Sequence, residues 1–382
     1  MKYIPYGRQW IDDDDIRAVV KVIKSDWLTQ GPTIKEFETA LCIYTGARYT
    51  VAVSSGTAAL HIACLAAGIK TGDEIITTPM TFVASANCAL YCGAMPIFAD
   101  IEKCTANIDP VQIEKKISKK TRMIIPVHFA GHPCEMKEIS AMAKKNNLLV
   151  IEDAAHALGA KYCGSKIGSC RYSDMTTLSF HPVKHITTGE GGAVLTNRRD
   201  LYEKLLVLRT HGITKNNLVN KPDGEWYYEM QQLGYNYRIT DIQAALGISQ
   251  LKKLDKFVKR RREIAEIYRS GFKNNPYFDM PAEKGYAYSS YHIFPIKLKN
   301  NLAGKRKEIF SEFRRNGIGA QVHYIPVYRH PYYKNLGYKS KDYPNTEDFY
   351  SREISIPLYP LMKNSDVRYV IKKIRSVLNT FK

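Results

Sequence analysis

No stretch of this 382-residue chain approaches the ~18 apolar residues that a membrane-spanning helix requires. Its first residues, Met1-Lys-Tyr-Ile-Pro-Tyr-Gly, lack the apolar stretch of a secretory signal. A cytoplasmic enzyme without a membrane partner is the expectation. None of the eight cysteines forms a C-x-x-C pair, and all lie between Cys42 and Cys170. Cys88 and Cys92 are spaced to share a helix face, but no second pair completes a zinc set, so buried reduced thiols are expected. His128, His132 and Cys134 have ligand-like spacing, yet Gly131 and Pro133 mark a turn there, and no metal is expected. Acidic residues are also scarce, 37 against 56 Lys and Arg, for a net charge of +19. The cations are spread along the chain, densest at 252–262 and 305–315, where their helical period reads as solvated faces. Without a zinc finger, an RRM or a polybasic tail, nucleic acid is not the expected partner. A phosphorylated small molecule fits the excess at least as well.

What is present is a repeat of short apolar strand, turn and helix from residue 50 to 200. Strands are expected at 50–53, 74–77, 95–98, 123–127, 148–151, 175–179 and 193–196. Helices are expected from 57 to 68, over 81–91 and around 135–145. This alternation predicts an α/β fold with a mostly parallel sheet covered on both faces. A helical segment over 241–268 bridges to a smaller α+β region with a strand at 292–298 and helices at 305–316 and 365–378. The expected division is a large domain, 1–250, and a small C-terminal domain, 251–382.

The chemistry concentrates in two segments. Lys184 lies in Ser179-Phe-His-Pro-Val-Lys184-His-Ile-Thr-Thr-Gly-Glu-Gly-Gly192, thirty-one residues after Asp153 in Glu152-Asp153-Ala-Ala-His156. Singly, a lysine before a glycine run is most often a solvated loop residue, and a strand-end aspartate a helix cap. Together they match a pyridoxal 5'-phosphate (PLP) site: an amine to bond the aldehyde, and a carboxylate to keep the pyridine nitrogen protonated. Ser54-Ser-Gly56-Thr57 follows a strand and opens a helix, where N–H groups and hydroxyls suit a phosphate, although such turns often only cap helices. Ser179 offers a second phosphate contact. Phe82 is placed to stack on an aromatic ring, with ordinary core as the competing reading. His156 either reaches the ring's 3-oxygen, stacks nearby, or is a satisfied core histidine.

Five ordered segments resemble the DegT/DnrJ/StrS sugar aminotransferases over nearly the whole chain. They are Ser55-Gly-Thr-Ala-Ala-Leu-His61, Thr77-Thr-Pro-Met-Thr-Phe-Val-Ala84, Ile151-Glu-Asp-Ala-Ala-His156, the stretch 179–192, and Gly234-Tyr-Asn-Tyr-Arg-Ile-Thr-Asp241. The resemblance implies PLP-dependent fold type I (aspartate aminotransferase-like), with Lys184, Asp153 and His156 catalytic. It implies cofactor contacts from Gly56, Thr57, Phe82, Ser179 and Asn236. Asn236 would reach the phosphate in the neighbouring subunit's site, so a homodimer with shared active sites is implied.

Further segments, Ile4-Pro-Tyr-Gly-Arg-Gln9, Trp27-Leu-Thr-Gln-Gly-Pro32, Val127-His-Phe-Ala-Gly131 and Gln321-Val-His-Tyr-Ile-Pro326, resemble members that aminate a UDP-linked 4-keto-6-deoxy-N-acetyl hexose for pseudaminic acid, with L-glutamate as donor. They imply sugar-nucleotide contacts from Tyr6, Trp27, Leu28, Thr29, Gln30, Gln321, Val322, His323, Tyr324 and Tyr333. Trp27 departs from the smaller residue expected at its position. The competing functions are amination of another keto-sugar, the D-xylo epimer or a 3-keto sugar, and an inactive scaffold. Lys184 argues against the dehydratases of the family, in which histidine replaces the lysine.

Overall fold

The computed structural model describes residues 2–381. Seven strands form the central sheet: β1 Tyr49–Val53, β2 Glu74–Thr77, β3 Met95–Phe98, β4 Thr121–Ile125, β5 Leu149–Asp153, β6 Met175–Ser179 and β7 Gly192–Thr196. Their order is β1-β7-β6-β5-β4-β2-β3. Pairings β5/β6, β4/β5, β2/β4 and β2/β3 are parallel, whereas β7 is antiparallel to both β6 and β1. Six strands therefore run one way and β7 alone runs against them. The C-terminal ends of β1, β2, β5 and β6 reach the same edge of the sheet, the place where open α/β sheets bind ligands.

Alternate side chains explain why both faces are covered. Val51 and Val53 of β1, Ile151 of β5 and Met175 of β6 enter one buried cluster with Ile62 and Leu205. Ala52, Val150 and Leu178 enter another with Phe37, Leu41 and Phe180. Strands buried on both faces carry near-continuous apolar runs, as these do.

The reading of 241–268 as one helix is corrected: the segment is two helices, Asp241–Leu251 and Leu254–Gly271. The break lets Leu251 and Leu254 both enter the core, while Lys253 turns to Asp12 at 2.6 Å and Asp15 at 2.7 Å. The helix expected from Thr81 begins at Ala84, because the Thr81 hydroxyl is engaged with Ser85 Oγ at 2.8 Å. The strand expected over 123–127 lies at Thr121–Ile125. Pro126 has no N–H to continue the ladder, and Val127 makes only an isolated bridge to Asp153.

The C-terminal region builds a second sheet from β8 Phe278–Asp279, β9 Phe294–Leu298 and β10 Glu353–Ile356, in the order β8-β9-β10. Helices Leu254–Gly271, Arg306–Arg315 and Asn364–Asn379 contribute Tyr268, Phe313 and Ile374 to the same core as Phe294, Ile296 and Ile354. Ile4 joins this core and bridges Ile318, tying the first residues to the C-terminal region.

Candidate active site

The shared strand edge opens into a cavity of about 420 Å³. At its base stands Asp153, the last residue of β5, 5% exposed. Ser85 Oγ donates to Asp153 Oδ2 at 2.6 Å, and the Ala155 N–H donates to Oδ1 at 3.1 Å. These bonds fix the plane of a carboxylate that faces the cavity.

Lys184 enters from a loop stapled to the end of β6. Thr187 Oγ1 and the Thr188 N–H both donate to Phe180 O at 3.0 Å, and Thr188 Oγ1 donates to Glu190 O at 2.6 Å. Burial pushes the Lys184 amine down to about 8, against the opposing pull of the Asp153 charge. An amine so shifted is available as a nucleophile near neutral pH.

The phosphate-sized end lies where β1 meets its helix, Gly56–Ala66. Ser55 caps that helix by accepting the Ala58 N–H at 3.0 Å, which leaves the earlier N–H groups of the first turn facing the cavity beside Ser179. The close approach requires glycine: a Cβ on Gly56 would lie 2.9 Å from Ser179 Cβ, and one on Gly192 would lie 2.4 Å from Ser55 O. Gly192 pairs with both Val53 and Ser179, so β7 holds the two loops together.

His156 and Tyr324 form the far wall, joined by a 2.9 Å hydrogen bond between Nε2 and the phenol oxygen. His156 also packs against His292, with centroids 4.2 Å apart and the rings tilted by 36°, and His292 lies 5.4 Å from His185. Burial drives all three imidazoles well below their ordinary range, and the Lys184 charge adds to this. His156 Nδ1 is buried with no hydrogen-bond partner among the described residues. Phe82 is 59% exposed at the cavity rim, which rules out the core reading.

Of the residues expected from the sequence, Tyr6, Gly56, Thr57, Phe82, Asp153, His156, Ser179, Lys184, His323 and Tyr324 meet around this cavity. Trp27 and Leu28 are exposed elsewhere, Thr29 bridges Thr240, and Gln30 leads into a helix start held by Asp241. Gln321 pairs its backbone with Ser355, and neither it nor Val322 lines the cavity. Tyr333 is buried against Phe98, its hydroxyl donating to Asn87 Oδ1 at 2.6 Å. Asn236 is exposed beside Thr210, away from the cavity of its own chain.

The sequence reading missed Ser85, Thr177, Glu190 and His292, which also line the cavity. Ser85 had a signal, a hydroxyl one helical turn after Thr81 in an otherwise apolar segment. His292 had none beyond its residue type. The spaced His128, His132 and Cys134 meet protein partners instead. His128 Nε2 lies 2.8 Å from Glu152, the Cys134 N–H donates to His128 Nδ1, and the Lys284 N–H donates to His132 Nε2.

The donor set fits PLP: a fixed carboxylate, a deprotonatable amine, a helix N-terminus with close-approach glycine, and an exposed aromatic ring. Residues 9–375 match the DegT/DnrJ/EryC1/StrS aminotransferase family. The chain is 43% identical over 382 residues to the UDP-4-amino-4,6-dideoxy-N-acetyl-beta-L-altrosamine transaminase of Campylobacter jejuni, covering 99% of this chain and 98% of that one. It is 41% identical to the spore coat polysaccharide biosynthesis protein SpsC of Bacillus subtilis, covering 98% and 97%. The solved Helicobacter pylori PseC, an aminotransferase involved in the biosynthesis of pseudaminic acid, superposes with a TM-score of 0.93 at 35% identity, covering 99% and 100%. The cofactor is pyridoxal phosphate and the fold is type I. The chain belongs to the DegT/DnrJ/EryC1/StrS aminotransferase family and is a nucleotide-sugar transaminase.

Proposed function

We propose that the enzyme transfers an amino group from L-glutamate to C4 of UDP-2-acetamido-2,6-dideoxy-β-L-arabino-hex-4-ulose, a step toward pseudaminic acid. The observation that carries this reading is the end-to-end likeness to the C. jejuni transaminase, together with a cavity walled by Tyr6, His323 and Tyr324.

When bound, PLP supplies the carbonyl that accepts the donor's amine and a ring that withdraws electrons from the reacting carbon. Lys184 would hold the cofactor through its amine, and that amine, when free, would be the group in the cavity able to carry a proton. Asp153, held by Ser85 and the Ala155 N–H, keeps the pyridine nitrogen protonated. The first turn of the Gly56–Ala66 helix, with Thr57 and Ser179, binds the phosphate, and Asn236 of the partner subunit completes that pocket in a homodimer. Phe82 covers the ring. Neutral His156, hydrogen-bonded through Nε2 to Tyr324, forms the wall beside the bound group.

The test is a panel of UDP-linked 4-keto sugars with mass spectrometry of the products. The C5 epimer turns its methyl group into a different wall, worth about 1–3 kcal/mol, so a preference of roughly 10- to 200-fold for the L-arabino sugar is expected. Equal or better kcat/KM on the D-xylo epimer rejects this substrate and leaves the transaminase intact.

A further inference from the structure

Behind His323 a chain of hydrogen bonds leaves the cavity and enters the C-terminal sheet. His323 Nδ1 lies 2.9 Å from Ser355 Oγ, which lies 2.5 Å from Glu353 Oε1. The other carboxyl oxygen, Oε2, accepts the His323 N–H at 2.9 Å. All three residues are buried, and two backbone bonds between Gln321 and Ser355 fix their spacing. With Nδ1 engaged, Nε2 is the ring nitrogen left for the cavity that His323 lines.

A hydroxyl has one proton, so this chain can run in only two directions. The backbone N–H always donates to Oε2. If Glu353 is ionised, Ser355 must donate to Oε1, its oxygen accepts from Nδ1–H, and Nε2 is bare. If Glu353 carries a proton on Oε1, that proton is donated to Ser355, Ser355 donates to Nδ1, and the ring proton sits on Nε2. Burial pushes His323 down to about 3, so the ring carries a single proton whose position sets the polarity of the cavity wall.

Burial also pushes Glu353 up to about 8, against the pull of Ser355, the His323 N–H and the Arg306 charge. The nearby cations Lys297 and Arg352 are paired with Asp348, and Tyr324 stands on the cavity side. The neutral carboxyl is therefore the form near neutral pH.

We propose that Glu353 and Ser355 are positioning residues that keep the ring proton of His323 on Nε2, where it donates to an oxygen of the bound substrate. Ionising Glu353 reverses the chain and turns that atom into an acceptor. The substrate half of the inference rests on reading the cavity as the keto-sugar site. The proton position does not.

Neutron diffraction from deuterated holoenzyme at about pH 6.5 and about pH 9.5, either side of the Glu353 transition, locates the proton directly. The expected result is deuterium on Nε2 at the lower pH and on Nδ1 at the higher. In Glu353→Gln the carbonyl must face the His323 N–H, so the amide donates to Ser355 and Nε2 should keep its deuterium at both. A wild-type ring labelled at the same nitrogen at both pH values, or a Glu353→Gln ring that follows pH, overturns the proposal.

In kinetics, KM for the UDP-linked 4-keto sugar should rise about five- to tenfold across the same range in wild type, the worth of one hydrogen bond. It should stay level in Glu353→Gln and in Ser355→Ala. Lys184 is common to all three proteins, so its own titration cancels in the comparison. A protein that moves the deuterium as expected but aminates no UDP-keto-sugar refutes the substrate reading and not the relay.

Discussion

Ser85 Oγ stands 2.6 Å from Asp153 Oδ2, and Thr81 Oγ1 lies 2.8 Å from the same serine oxygen. Because Ser85 gives its proton to the carboxylate, Thr81 must donate to Ser85, and the two hydroxyls form a directed brace from the helix start to the strand end. A hydrogen bond to a charged group is worth about 1.5–3 kcal/mol. Ser85→Ala is expected to weaken PLP binding roughly tenfold or more, measured by titrating apo-protein and following absorbance. Unchanged affinity and kcat would show that Asp153 needs no support from the helix.

Lys184→Ala should retain its circular dichroism spectrum and lose several orders of magnitude in turnover, having lost both the covalent anchor and the proton carrier. In wild type, borohydride reduction and peptide mapping should find the pyridoxyl group on the peptide containing Lys184. Its recovery on a different lysine would remove Lys184 from the mechanism.

The depressed Lys184 value has a kinetic consequence. Only the neutral amine attacks an aldehyde, and with a transition at about 8 roughly a tenth of the amine is neutral at pH 7. An ordinary lysine near 10.4 would offer less than about a thousandth. The rate at which apo-protein takes up PLP should therefore climb as pH rises and level off above about 8. Stopped-flow absorbance across that range tests it, and a rate still climbing steeply near pH 10 would mean that the amine is not desolvated.

Hybrid dimers test whether sites are shared. Lys184→Ala and Asn236→Ala chains, each inactive as parents, should regain activity on mixing if Asn236 serves the partner's phosphate, because one site then has every group. Verified subunit exchange without recovery would count against a shared site.

The sequence carried the parts of the site that depend on covalent order. Asp153 ends an apolar strand, Lys184 sits before a glycine run, and Gly56 follows Ser55 at a helix start, so each could be placed by period and turn chemistry. The parts that depend on which strands lie side by side were hidden. Only the register of β7 brings Gly192 between Val53 and Ser179, and only packing between the two regions sets His292 on His156. Tyr333 illustrates the reverse: a phenol in a suggestive segment is consumed by a core around Phe98. The break at Lys252–Lys253 was equally illegible, since the apolar period continues across it while the ion pairs that favour it come from residues 12 and 15.

The buried imidazoles of His156, His185, His292 and His323 make the fold acid-labile. Each is held below its ordinary value, so the unfolded chain binds protons in acid that the native chain refuses. The imidazole contribution is constant above about pH 6.5, where neither state is protonated, and falls as pH drops below it by about 1.4 kcal/mol per pH unit for each histidine. The four together remove about 5–6 kcal/mol per unit, offset in part by Glu353, whose raised value makes the native chain hold a proton that the unfolded chain releases. Arg261, buried beside them, donates to the carbonyls of Tyr291, His292 and Leu358, with burial pushing it down to about 9. A steep acid transition between about pH 4.5 and 6, shallower in His292→Asn, is the solution behaviour this packing dictates.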